Sequence, residues 1–244
     1  MPNEPAPTII PLRCGTITAS SDLFEIGAEG QSALPVYAFL ITHPVKPPVL
    51  YDTGIHPDLD GKLYFDLFAN ALPAGQDIAS RLDQLGVGQS GLGGVILSHG
   101  HYDHAGGLPM IGDMPVFAHK NEDLGAIDSA RDIRRNEDEF DVFGDGSVQV
   151  FATPGHTSGH QSLRVRRFGG HDVLTGDACY FCRTLARDDA DQPHAFDKTA
   201  YLASKRRLAA MQTAGDFVIP GHDERFLEQI PAGSALRVHE VSRL

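Results

Sequence analysis

Three histidines and an aspartate fall within six residues in the stretch Ser98-His99-Gly100-His101-Tyr102-Asp103-His104-Ala105-Gly106-Gly107. The apolar run Gly94-Val95-Ile96-Leu97 precedes it and reads as a buried strand, so the polar cluster starts where a strand ends. His99 and His101 are two residues apart, and on an extended backbone that spacing points both imidazoles to one side. Zinc sites on helices place their histidines four apart instead, so this pair belongs to a strand end. Asp103 and His104, at the next turn, reach a second point nearby. Burying so many polar groups is costly unless a cation balances them, so the loop reads as a metal site.

Further donors follow at other strand ends. His156 lies in Thr153-Pro154-Gly155-His156-Thr157-Ser158-Gly159-His160, Asp177 in Thr175-Gly176-Asp177-Ala178, and His222 in Pro220-Gly221-His222-Asp223. Imidazoles combined with carboxylates suit zinc first, with iron, manganese or cobalt as alternatives. Five histidines and two aspartates exceed one tetrahedral ion, whereas two divalent ions sharing a carboxylate use all seven. His99, His101 and His156 then hold the first ion, Asp103, His104 and His222 the second, and Asp177 bridges. Two ions about 3.5–4 Å apart can share a hydroxide that is a nucleophile at neutral pH, and one can polarise a carbonyl. No serine elbow or cysteine–histidine pairing is evident, which favours hydrolysis by metal-bound water. Asp52, after the strand Val49-Leu50-Tyr51, either orients a ligand histidine from behind or is a strand-end turn residue. Of the twelve histidines, His43, His119, His171 and His239 have no special context.

The elements that must position these groups are strands with helices between them. Residues 8–18 and 35–43 read as strands, and the turn Pro44–Pro48 makes a hairpin of 35–43 with 49–54. Residues 55–74 are irregular and rich in aromatics, as befits either ordinary packing or a pocket wall or lid. Residues 75–86 read as a helix with Ile78, Leu82 and Leu85 on one face. Strands follow at 94–97, 114–118, 147–152, 161–167, 172–174 and 217–219. The polar 119–141 stretch reads as helix and loop, and 197–213 as a helix. Several strand ends converging on one rim is how a rigid sheet positions a site made of loop residues.

Composition narrows the classes. A chain of 244 residues with 41% hydrophobic and 21% charged residues is ordinary for a soluble globular protein, and 1–244 reads as one domain. A net charge of −12 repels phosphate backbones, which argues against nucleic acid. The basic groups Arg164–Arg167 and Lys205–Arg207 read as solvated strand and helix faces. No run approaches the ~18 apolar residues of a membrane span, and the first residues lack a signal-peptide pattern. Cys14, Cys179 and Cys182 form no disulfide framework, so reduced thiols in the cytoplasm are expected.

His99-Gly100-His101-Tyr102-Asp103-His104, then Gly155-His156, Gly176-Asp177 and Gly221-His222, occur in an order that resembles the metallo-β-lactamase superfamily. The intervals of 52, 21 and 45 residues separating His104, His156, Asp177 and His222 are ordinary for that fold, and Asp52-Thr53-Gly54 matches its first motif. The resemblance covers nearly the whole chain. It implies an α/β fold of α+β type, a four-layer αβ/βα sandwich with two sheets face to face and helices outside.

Within the superfamily the chain looks most similar to the N-acyl homoserine lactone lactonases that quench quorum sensing. Those enzymes have a tyrosine three residues after the bridging aspartate, and Tyr180 lies three after Asp177. Leu34-Pro35-Val36-Tyr37, Thr153–Leu163 and Ala195-Phe196-Asp197 also resemble them. The resemblance implies that Tyr180 hydrogen-bonds the lactone carbonyl or its oxyanion, and that Asp103 passes a proton to the departing alkoxide. The implied partner is a small-molecule lactone or ester, acted on by a monomer or a homodimer. A cysteine ligand, as in true β-lactamases, is absent because Asp103 and His104 occupy that loop. Cys179, part of a Cys-x-x-Cys with Cys182, reads as a small buried filler. His194 and Phe196 are candidates to line the pocket or to make a loop contact.

Other readings within the superfamily are a thioester hydrolase of the glyoxalase II type, a different lactonase, or a nuclease. Tyr180 and the short C-terminal region favour lactones over glutathione thioesters, and the acidic balance disfavours a nuclease. A non-catalytic metal-binding module is set aside because the ligand set is complete.

Overall fold

Alternation of side chains along the two longest strands sets up the layers. In β2 (Gln31–Thr42), Tyr37, Phe39 and Ile41 pack to one side and Ala38 and Leu40 to the other, all buried, so both faces of the strand must be covered. A computed structural model describes residues 6–125, 127, 131–188 and 192–239. Strands β1 (Thr8–Ser20) and β2 pair antiparallel with β3 (Val49–Tyr51) beyond β2. Then β6 (Gly94–Ile96), β7 (Val116–His119) and β8 (Ile133–Asn136) add in parallel, and the hairpin β4 (Leu63–Tyr64) and β5 (Phe68–Ala71) adds beside β1. The resulting order is β4-β5-β1-β2-β3-β6-β7-β8.

The second sheet has the order β13-β12-β11-β10-β9, from β9 (Glu139–Asp141), β10 (Val148–Ala152), β11 (Gln161–Arg167), β12 (Gly170–Leu174) and β13 (Phe217–Ile219). Tyr37, Phe39, Tyr51 and Ile96 of the first sheet meet Val150, Leu163, Val165 and Ile219 of the second in one buried core. On the outer face of the first sheet, Ile78 and Leu82 of α1 (Ile78–Gln84) pack against Leu12, Leu40, Leu50 and Val95. On the outer face of the second, Leu208 of α3 (Lys198–Thr213) joins Phe151, Val173 and Val218. Helix, sheet, sheet and helix make the four layers. Each of these two outer helices is started by an aspartate that caps it: Asp77 accepts the Ser80 N–H at 2.9 Å, and Asp197 accepts those of Thr199 and Ala200.

Strand direction explains the rim. β3 and β6 are parallel, so Asp52 and Ser98–His99 emerge on one edge of the first sheet. β10 and β12 are each antiparallel to β11, and β13 is parallel to β12, so these three share a direction and deliver His156, Asp177 and His222 together. Gln161 ties the sheets beside that rim. Its backbone N–H donates to Ser98 O at 2.9 Å, its Nε2 donates to Leu97 O at 2.7 Å, and its carbonyl accepts the Tyr51 hydroxyl at 2.9 Å.

Three sequence expectations change. The 119–141 stretch, expected as helix and loop, carries two edge strands, β8 and β9, which owe their form to pairing with β7 and β10. The 55–74 segment, expected to be irregular, contains the β4–β5 hairpin. Lys205, expected on a solvated helix face, is fully buried and donates to Arg187 O. The single turn α2 (Tyr102–Ala105) ends before Gly106, and Gly107 caps the 3₁₀ turn Leu108–Met110. A Cβ on Gly107 would lie 2.2 Å from Thr53 O, so the glycines let this loop close on the end of β3.

Candidate metal centre

The strand ends bring seven side chains into two adjoining groups. His99, His101, His156 and Asp177 offer ligand atoms that all lie within 4.8 Å of one another, as do Asp103, His104 and His222. In the first group His156 Nε2 is 3.2 Å from His99 Nε2 and 3.0 Å from His101 Nδ1. In the second, Asp103 Oδ2 is 3.5 Å from His104 Nε2 and 3.7 Å from His222 Nε2. Asp177 straddles both: Oδ2 faces His156 Nε2 at 3.2 Å and His99 Nε2 at 3.7 Å, while Oδ1 faces His104 Nε2 and His222 Nε2 at 3.1 Å each. All but His101 are buried.

The outer nitrogens fix the tautomers. His104 Nδ1 donates to Asp52 Oδ2 at 2.8 Å, His156 Nδ1 to Gln192 Oε1 at 2.7 Å, and His222 Nδ1 to Pro35 O at 2.9 Å. Each of these bonds places the ring proton outside and leaves the Nε2 lone pair facing inward. His99 Nδ1 meets the Ser98 hydroxyl at 2.9 Å. Asp52, which also accepts the backbone N–H and hydroxyl of Ser98, is held at φ 62°, a conformation aspartate tolerates better than most residues. Sequence reasoning left its role open between orienter and turn residue; it orients His104.

The donor set fits cations. His104 Nε2 and Asp177 Oδ1 are buried and make no well-formed hydrogen bond, although only 3.1 Å separates them. Buried lone pairs left without protons to share are expensive unless an ion takes them. The charge environment differs across the centre. Burial pushes His99 well below the ordinary imidazole value and His156 down to about 4. Burial acts the same way on His104 and His222, but Asp177 and Asp103 outweigh it and hold both above the ordinary value. Asp177 resists its own burial through His104, His222 and His156 and stays well below the usual carboxylate range.

Sequence reasoning missed several supports. His160 Nε2 accepts the Asp177 N–H at 2.9 Å while its Nδ1 meets Thr153 Oγ1 at 2.9 Å, so this buried ring positions the carboxylate that spans both groups. Gln192 joins His156 to Asp177 O, to which its Nε2 donates at 2.7 Å. His160 stood in the quoted Thr153–His160 loop and was findable; Gln192 had no local signal.

A cavity of about 360 Å³ opens onto the centre. Ile17, Leu23, Phe24 and Phe68 form an apolar wall with Tyr64 and Leu67 of the β4–β5 hairpin, so the aromatic 55–74 segment is part of the pocket. His101, Asp103, His156, Asp177 and His222 close its inner end. Tyr180 sits at the junction, its ring 5.3 Å from that of His222, 5.9 Å from His156 and 6.1 Å from Phe24. His194 lines the cavity, while Phe196 is exposed and is not part of its wall. Cys179 is fully buried, donates to Phe181 O at 3.3 Å and has its thiol pushed up to about 12 by burial, which makes it a packing residue.

Comparison with known proteins places this geometry. The sequence profile of the metallo-beta-lactamase superfamily matches residues 32–222. An N-acyl homoserine lactonase from a Bacillus species is 30% identical over 212 residues, covering 78% of this chain and 82% of the relative. The metallo-hydrolase mfmC of Annulohypoxylon moriforme is 28% identical over 185 residues; they cover 60% of this chain, which spans about half (48%) of that longer protein. A crystal structure of a variant of B. thuringiensis AiiA, with N-decanoyl-L-homoserine bound at its active site, superposes with a TM-score of 0.81 over 93% of this chain and 98% of that one. At 23% identity, that likeness establishes the fold.

Proposed function

Because the chain belongs to the metallo-beta-lactamase superfamily, we propose that it is a metal-dependent lactonase that opens the ring of N-acyl homoserine lactones. The observation that carries this reading is Tyr180, a partly buried phenol standing where an apolar cavity meets the seven-residue cluster. His99, His101 and His156 would hold one divalent ion, Asp103, His104 and His222 a second, and Asp177 both; zinc suits the donors best, ahead of iron, manganese or cobalt. When bound, such a pair supplies an activated water and a Lewis acid for the carbonyl.

The chain's own groups do the rest. The apolar wall takes the acyl chain and directs the ring inward, excluding water from the approach. Burial, together with Asp177 and Asp103, holds the Tyr180 phenol well above its ordinary value, so at neutral pH it is a donor. Its hydroxyl meets the carbonyl oxygen as charge develops there, which favours the transition state over the substrate. Addition of water to the carbonyl carbon and rupture of the ring C–O bond leave an alkoxide. Asp103, inside the cavity, takes a proton from the water and hands it to that oxygen, and a hydroxy acid leaves. The three free thiols fit a reducing, cytoplasmic setting.

The test is a hydrolysis screen of metal-loaded protein against acyl homoserine lactones of several lengths, other lactones and a glutathione thioester. Acyl homoserine lactones are expected to turn over, and Tyr180→Phe to slow them about 100-fold while sparing the metal. Turnover of the thioester alone overturns the reading.

A further inference from the structure

The segment after β7 belongs to no ligand loop, yet it lies between two of them. Its central residue, Glu122, is a carboxylate only 5% exposed. Oε1 accepts the backbone N–H of Gly100 at 2.8 Å. Oε2 accepts the Thr157 hydroxyl at 2.6 Å and the Gly159 N–H at 3.2 Å. Gly100 is the residue between His99 and His101, and Thr157 follows His156, so one side chain binds a residue next to each of the three histidines of the first group.

The packing around it is close on both sides. A Cβ on Gly100 would lie 2.7 Å from Asp123 O, and one on Gly159 would lie 2.3 Å from Glu122 N. Ser158 Oγ donates to Asn121 O at 2.7 Å, a further tie to the same segment. Arg135 holds the segment from behind, donating to Glu122 O at 2.7 Å and to His119 O at 3.1 Å. His101 has most need of such support. It is exposed, and among the described residues no hydrogen-bond partner meets its Nε2, whereas the other four histidines of the centre are all bonded through their outer nitrogen.

We infer that Glu122 is a positioning residue for the His99/His101/His156 half of the centre, holding two ligand loops at the spacing one ion requires. The inference rests on the two-ion reading above. A carboxylate suits the task because it accepts from three donors at once and donates to none of them. Glutamine keeps the shape but presents an NH₂ group to at least one of those donors, and aspartate is one methylene too short to reach both loops.

The experiment is a titration of metal-free protein with zinc against a chromophoric chelator, repeated with cobalt so that the two ions are told apart by their visible absorption. For Glu122→Gln, the ion held by the three histidines is expected to bind about 10–100-fold more weakly, the scale of losing a group behind metal ligands, with the other ion unchanged. Thr157→Val, which removes one bond and keeps the carboxylate, should weaken the same ion by less. Unchanged affinities in both variants overturn the inference. So does equal loss at both ions, or a fall in denaturation midpoint, the same with and without metal, that leaves both affinities intact. A wild-type protein that takes up fewer than two ions fails at the first titration; it overturns the two-ion reading, and this inference with it, before any variant is compared.

Discussion

The His99/His101/His156 half of the centre and the Asp103/His104/His222 half use the same imidazole chemistry in different electrical surroundings. In the first half burial governs: His99 and His156 sit below the ordinary imidazole value, and the groups behind them are neutral, a serine hydroxyl and a glutamine amide. In the second half carboxylates outweigh burial: Asp177 and Asp103 raise His104 and His222, and Asp52 stands directly behind His104. One half is held by geometry; the other is held by electrostatics. Two adjoining sites built so differently should lose their ions under different conditions.

Asp177 is where the contrast ends, because its two oxygens face opposite halves. Asp177→Asn should therefore give the largest effect. The amide keeps the shape but directs an NH₂ at one half and removes the charge from both. Metal content should fall from close to two equivalents to one or fewer, with activity lost by about 100-fold or more. Retention of both ions would show that the halves do not share this carboxylate.

Acid should separate the halves next. In the metal-free protein His104 and His222 keep their protons to a higher pH than an ordinary histidine, so an ion must displace those protons. His99 and His156 are already neutral at pH 6 and displace none. Lowering the pH from 8 to 6 should weaken the second half by about tenfold per pH unit for each proton displaced, and leave His99 and His156 unaffected. Chelator competition at the two pH values measures this, and equal slopes for both ions would erase the distinction.

The contrast was only partly legible in the sequence. The density of histidine and aspartate in His99–His104 is legible because packing has no use for it, and the strands are legible because alternation exposes their two faces. Asp52 could be noticed but not decided, since its meaning depends on His104 lying across a strand pair. Glu122 and Gln192 could not be found, because each sits in a polar stretch and gains its role only through contacts 15 to 37 residues away in the chain. The edge strands β8 and β9 were hidden for a similar reason: Ile133-Arg134-Arg135-Asn136 has no strand pattern, and pairing to β7 alone makes it extended.

Asp52→Asn probes the second half by itself. The amide can still accept from Ser98, but its NH₂ would face His104 Nδ1 and favour the tautomer with the proton on Nε2, the nitrogen that faces Asp177. The expected loss is about 10–100-fold in affinity for the ion of the second half, with the first unchanged, read by the same titration. An equal loss in both halves would mean that Asp52 acts on the fold of the rim rather than on His104.

Gln192→Ala is the mirror substitution and should give the smallest effect. Gln192 stands behind His156 as Asp52 stands behind His104, and at nearly the same distance, 2.7 Å against 2.8 Å. A neutral acceptor contributes roughly 0.5–1.5 kcal/mol where a charged one contributes about 1.5–3. Removing it should therefore weaken the first half by about fivefold, less than Asp52→Asn weakens the second. The loop that carries His156 is also held by Glu122, which accepts the Thr157 hydroxyl and the Gly159 N–H. If Gln192→Ala proves as damaging as Asp52→Asn, the first half depends on its outer hydrogen bonds as strongly as the second. The division into a geometric half and an electrostatic half would then fail.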